Sequence, residues 1–185
     1  MNMKMYPILA YLCALLISDV VSASDINNDR DNEEIYRKLL KIEYNNRVFA
    51  YLSTQIIAKN REGSPMGEFY QAYYRLEVLN KSLYENMEKK LNFEYQPNLF
   101  TRTRGKLTGY ISSVLPVTAG MLVSIIQPYV EKLTVLNQVS PAEHSKFFSY
   151  VLAQEKAQLK ASQVAVERGW SEGAKVLREF IENQK

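Results

Sequence analysis

Between Lys106 and Glu131 the sequence LTGYISSVLPVTAGMLVSIIQPYV carries no charged residue. In a chain of which 23% is charged, such a run is either the core of the fold or its contact with a membrane. Leu107 to Val130 falls within the length of a bilayer span, about 17–25 residues. Its composition argues against one. Pro116 and Pro128 each remove a backbone donor and kink a helix, while Gly109, Gly120, Gln127 and several Ser and Thr dilute the hydrophobicity. A kinked core helix, an interfacial hairpin and a true span are the three readings, and the rest of the chain chooses among them.

The N-terminus reads as a processing signal. Lys4 supplies a positive n-region, Ile8 to Ile17 is apolar, and Val21-Ser22-Ala23 has the small-x-small pattern of a cleavage site. Residues 1–23 are therefore expected to be a signal peptide and the chain to be exported, periplasmic or secreted; a retained N-terminal anchor is the competing reading. Cleavage removes Cys13, the only cysteine, and with it any thiol or disulfide chemistry. Residues 24–32 (SDINNDRDN) read as a polar, flexible leader. The formal charge of +3 is spread along the chain without a basic block, so nucleic acid is not an expected partner.

From Glu33 onward the apolar periodicity is helical. Ile35, Leu39, Ile42, Phe49, Leu52 and Ile56 form one face of a first helix, with Glu43 beside it. Gly63-Ser64-Pro65 ends that helix and starts the next, Ser64 as N-cap and Pro65 at the first helical position. The second helix, about Pro65 to Leu91, turns Phe69, Leu76, Leu79, Leu83 and Met87 inward. The uncharged run makes the third, bordered by Arg102, Arg104 and Lys106 and continuing to about Gln138. Ser140-Pro141-Ala142-Glu143 has the form of a capping box that opens a fourth helix, with Phe147, Phe148, Val151, Leu152, Leu159 and Val166 inward. A short amphipathic helix from Ser171 ends the chain. Nothing reads as a strand, so the expectation is an all-α, up-down bundle of four long helices and a short fifth, spanning 33–184. In that arrangement the uncharged run is the fourth wall of the bundle, and only whether one side of it touches lipid stays open.

The polar residues near the apolar faces are less ordinary. Tyr73, Glu77, Asn80 and Tyr84 form one stripe on the second helix, and Glu155 and Gln158 fall on the buried face of the fourth. Glu77 and Glu155 are each followed at three residues by an amide. Two helices giving a Glu each and two giving Glu-x-x-His is the ligand layout of a di-iron carboxylate bundle. Here amides hold both histidine positions. The only histidine, His144, lies about 16 Å along the helix from Glu155 at the ~1.5 Å rise per residue, too far to share a metal. There is no Ser-His-Asp set, no phosphate-cradling glycine loop and no cysteine pair.

In this order of features the chain, from about Leu39 to Phe180, resembles the ferritin-like superfamily. Within it the pattern is similar to demethoxyubiquinone hydroxylase, a membrane-associated di-iron monooxygenase of ubiquinone synthesis. The family's first-helix Asp-x-x-Gly-Glu stretch matches Glu43-Tyr44-Asn45-Asn46-Arg47, followed by Ala50-Tyr51, so that its metal-binding Glu falls on Arg47. Its two Glu-x-x-His pairs fall on Glu77 with Asn80 and on Glu155 with Gln158, and its third-helix Glu falls near Glu131. The uncharged segment matches the part that in the family rests on the membrane. The resemblance implies a ferritin-like four-helix bundle with a short fifth helix.

The departures carry more than the matches. Three of the implied iron ligands are absent, an amide is a poor iron ligand, and a guanidinium repels a cation. Buried carboxylates need a partner. Arg47 is expected to bridge Glu77 and Glu155 while Asn80 and Gln158 complete the hydrogen bonds. Read alone, Glu43 and Glu131 are solvated helix acids, and Tyr73 and Tyr84 are candidates to line a ligand cavity. The functional expectation is a non-catalytic binding or structural module at a membrane surface, without a cofactor, for a lipid or quinone-like ligand. A di-iron oxidoreductase and a protein-interaction module using the apolar run are the alternatives.

Overall fold

The computed structural model describes residues 29–93, 95–97, 99–114 and 117–184, and every element in them is helical. Helix α1 spans Asp29–Asn60, α2 Pro65–Lys90, α3 Leu99–Val114, α4 Ala119–Val139, α5 Ser145–Arg168 and α6 Trp170–Glu182, with a single 3₁₀ turn at Ala142–His144. The expected signal peptide, residues 1–23, lies outside the described residues. The expected leader lies partly outside them, and its end is helical, because α1 begins at Asp29 rather than Glu33.

Local chemistry explains most boundaries. The α1–α2 turn passes through Gly63 at φ 78°, and the Ser64 hydroxyl accepts from the Gly67 amide at 3.0 Å with Pro65 opening α2. Gly169 at φ 95° separates α5 from α6. Two boundaries differ from the sequence expectation. The uncharged run is not one kinked helix. It is shared between α3, which starts at Leu99, and α4, which starts anew where Thr118 accepts from the Met121 amide. The chemical reason is Pro116, which disfavours helix at the residue before it and has no amide to donate. Ser140 does not cap α5 either. Its hydroxyl donates back to the Asn137 carbonyl, so it closes α4, and the 3₁₀ turn intervenes before Ser145.

Contacts order the helices as a ring, α1–α2–α6–α5–α4 and back to α1, with α3 laid on the outside of α1. Successive helices alternate in direction. Helix α6 is thus not an appendage to four helices. It wedges between α2 and α5 with Ala174 and Leu177 fully buried, a fifth wall that the sequence pattern does not announce.

Two hydrophobic clusters fill the ring. At one end Ile57, Phe69, Leu76, Ala161 and Leu177 pack together, and at the other Leu39, Leu40, Tyr84, Leu133, Leu136, Phe148 and Val151. On α1, α2 and α5 alike, the residues between the two clusters are polar: Glu43 and Arg47, Glu77 and Asn80, and Gln154, Glu155 and Gln158. The core is therefore a sandwich of apolar, polar and apolar layers. The buried face of α1 also differs from the expected one. Ile42, Phe49, Leu52 and Ile56 are half-buried flanks, and the deepest line runs through Tyr36, Leu40, Glu43, Arg47, Ala50, Thr54 and Ile57. A helix surrounded on three sides buries its middle line most, whatever the polarity there. On α2, Leu83 faces outward, contrary to the pattern.

No helix among the described residues is long and apolar enough to cross a membrane.

Candidate polar layer and flanking cavities

Arg47 is the centre of the polar layer. It is buried, and each of its three guanidinium nitrogens faces a different carboxylate. Nη1 donates to Glu77 at 2.9 Å, Nη2 donates to Glu155 at 2.8 Å, and Nε lies 3.0 Å from Glu43 as an ion pair without hydrogen-bond alignment. The alignment fails because Arg47 is only one turn from Glu43 on the same helix, so the fork cannot face it squarely while reaching α2 and α5.

The remaining valences are filled by hydroxyls and amides. Tyr84 and Tyr129 both donate short hydrogen bonds to Glu43. The Gln154 carbonyl oxygen accepts from Arg47 at 3.2 Å, from Asn80 at 2.8 Å and from Gln158 at 2.9 Å. Gln158 also reaches Glu77 at 3.3 Å and accepts from the Tyr73 hydroxyl at 2.5 Å, and Tyr150 donates to Asn80 at 2.7 Å. Each α-helical wall of the ring except α6 contributes to one connected network.

Of the residues picked from sequence, the structure brings together Arg47, Glu77, Asn80, Glu155 and Gln158. It does not bring in Glu131, which is exposed. At about 100° per residue Glu131 is turned some 200° from the inward-facing Tyr129, onto the outer face of α4. Glu43 is the opposite correction. Read as a solvated acid, it is 1% exposed and is the carboxylate held by two tyrosines. Gln154, Tyr129 and Tyr150 escaped the sequence reading. Gln154 alone left a signal, four residues before Gln158 on the same face.

Three carboxylates around one guanidinium leave surplus negative charge, and burial makes that charge costly. Burial opposes the charge on Arg47, yet Glu43, Glu77 and Glu155 together hold its pKa well above the ordinary arginine value. Burial outweighs the pull of Arg47 on both partner acids, lifting Glu77 to about 6 and Glu155 to about 7. Near neutral pH the Glu77–Glu155 pair thus retains a proton for part of the time. Burial, reinforced by Glu43, pushes Tyr84 and Tyr129 far above the ordinary tyrosine value, so both remain hydroxyl donors.

The residues present do not fit an iron pair. The guanidinium sits among the carboxylates that would face the metals, amides stand where imidazoles would, and among the described residues no three His, Cys, Asp or Glu side chains are disposed to hold a metal ion.

Two cavities meet at Arg47. One, of about 120 Å³, lies between α1, α2 and α4, with Ile57, Leu122, Ile125 and Ile126 as apolar walls and Arg47, Tyr73, Tyr129 and Glu155 at its polar end. The other, of about 420 Å³, lies on the α2–α3 connection side and includes Tyr84. Tyr73 and Tyr84 therefore line one cavity each while also holding the network. Chemically, the polar end of the first cavity offers a buried cation, two hydroxyls and a carboxyl group that changes protonation near neutrality. Because both hydroxyls already donate within the network, such an end can hold a head group that itself donates a hydrogen bond, such as a hydroxyl.

No protein-family model matches the chain, no curated protein matches it, and no solved structure matches it.

Proposed function

We propose that the chain is an exported, ferritin-like bundle that has lost its di-iron site and works as a non-catalytic binding module at a membrane surface. Its ligand would be an apolar molecule with a hydrogen-bonding head, of the lipid or quinone-like kind. The observation that carries this reading is Arg47: it occupies the middle of the carboxylate set and closes one end of an apolar cavity. A hydroxyl head at that end would lie beside Arg47 and donate to the oxygen of Tyr73 or Tyr129, whose own hydrogens are committed to Gln158 and Glu43, and an apolar tail would lie along Leu122 and Ile125.

The polarity of α3 supports the membrane part. Its buried face is small and polar, through Thr101, Gly105, Thr108, Gly109 and Ser112. Its outer face carries Phe100, Leu107 and Tyr110, which are 64%, 48% and 60% exposed, with Arg102 and Lys106 exposed beside them. A helix that hides its glycines and displays its aromatics next to cations is suited to an anionic lipid interface.

Two measurements test the reading. Protein purified from iron-supplemented cells should contain far less than one iron per chain; stoichiometric iron would overturn the reading in favour of a di-iron monooxygenase. The protein should float with anionic liposomes, and Leu107→Lys should stay folded and cease to float. Leu122→Lys, at a residue lining the inner cavity, should instead perturb the fold. A Leu107→Lys protein that floats like the parent would leave the outer face of α3 to a protein partner.

A further inference from the structure

The larger cavity has a chemistry of its own. It is a groove of about 420 Å³ over α1, bordered by α2, by Tyr95 and Pro97 of the α2–α3 connection and by the first turns of α3. That volume accommodates a small organic molecule. Its walls are aromatic: Tyr51 from α1, Tyr84 from α2 and Tyr95 from the connection. Lys81 and the α3 pair Arg102 and Lys106 bring cations to it from opposite sides.

Two of these cations make no ion pair among the described residues. Arg102 and Lys106, one helical turn apart, make no ion pair or hydrogen bond among the described residues. Lys81 stands 5.5 Å from the centre of the Tyr51 ring and is only loosely paired with Glu85, at 3.9 Å. The other acid in the lining, Glu88, is taken up by the Tyr95 backbone amide at 2.6 Å. At the floor, Glu77 is engaged by Arg47. Glu77 and Glu88 are therefore held by the fold and Glu85 lies beside Lys81, while Arg102 and Lys106 face the groove without an ion pair among the described residues.

We propose that this groove is a second binding site, which takes a small aromatic anion, an aryl carboxylate or aryl phosphate, with its ring against Tyr51 and Tyr95 and its charge between Arg102 and Lys106. Stacking on tyrosine faces and charge-assisted hydrogen bonds to two cations are additive recognition elements, and neither depends on the membrane reading. The site is separate from the apolar cavity, with which it shares only Arg47.

Titration calorimetry on the full chain with 2-naphthoate, 2-naphthyl phosphate and the uncharged 2-naphthamide tests the proposal. At least one of the two anions should bind saturably, and the amide should bind about tenfold more weakly or worse. Arg102→Gln with Lys106→Gln changes two exposed residues, so the circular dichroism should be unchanged while anion affinity falls by about tenfold or more. Tyr51→Ala should also weaken binding, and Leu122→Ala, which lines only the apolar cavity, should not. Equal affinity for amide and anions, full affinity in the double-glutamine protein, loss of binding in Leu122→Ala, or no saturable binding of either anion up to low-millimolar concentration would each overturn it.

Discussion

Arg47 and Glu155 are 108 positions apart in the chain and 2.8 Å apart in the fold, so one ion pair ties α1 to α5 through the centre of the helix ring. Because the same guanidinium also holds Glu77 on α2, removing it leaves three carboxylates buried with no counter-charge. Arg47→Ala should lower unfolding free energy by about 3–5 kcal/mol, and Arg47→Lys, which keeps the charge but not the fork, by less. Urea unfolding of the three proteins checks this.

Glu77 and Glu155 also make stability depend on pH. Their folded-state values are raised, to about 6 and about 7, above the ordinary 4.5. The folded chain therefore binds more protons than the unfolded chain between roughly 4.5 and 7, and stability falls as pH rises through that window. The contribution of these two groups is complete below the lower limit and lost above the upper one. Unfolding measured at about pH 5 and about pH 8 should show the loss, and Glu155→Gln, which cannot ionise, should flatten the profile.

Tyr129 and Tyr84 both donate to Glu43, and neither can be replaced by solvent in a layer this deeply buried. Tyr129→Phe removes one donor with almost no change in shape, so its cost is that of a carboxylate lone pair left unfilled, about 1–3 kcal/mol. A calorimetric melt of the variant gives the value. A cost near zero would show that Glu43 has another donor within reach.

Helix α3 lies close on α1 because two glycines allow it. A Cβ on Gly109 would come within 2.9 Å of the Ile56 Cβ and 3.1 Å of the Ser53 carbonyl oxygen, whereas one on Gly120 would meet only the Thr118 hydroxyl at 3.9 Å. Gly109→Ala should therefore destabilise by about 1–3 kcal/mol by pushing the helices apart. Gly120→Ala, in the exposed first turn of α4, should stabilise by a few tenths to about 1 kcal/mol. Paired thermal melts should show the two shifts with opposite sign.

What the sequence determined by itself is local. Apolar spacing of three and four made the chain helical, Ser64 with Pro65 opened α2, and Glu77-x-x-Asn80 and Glu155-x-x-Gln158 placed polar groups on or beside the apolar faces. The need for a counter-ion was legible as well, because a charge surplus on two buried faces requires one, and the resemblance to the di-iron pattern is what pointed to Arg47. What only the tertiary structure decided is which faces meet. Glu43 looked solvated because it is itself charged and Asn46 and Arg47 follow it one turn on, although Leu39 and Leu40 precede it. It is buried because α1 is enclosed by α2, α3 and α4, while α4 leaves its Glu131 side uncovered. The break of the uncharged run into α3 and α4, the wedge made by α6 and the tyrosine from α4 that serves a carboxylate on α1 are likewise products of packing. Periodicity reports the polarity of one helix face, but burial is set by how many neighbours that face acquires, which is a property of the whole ring.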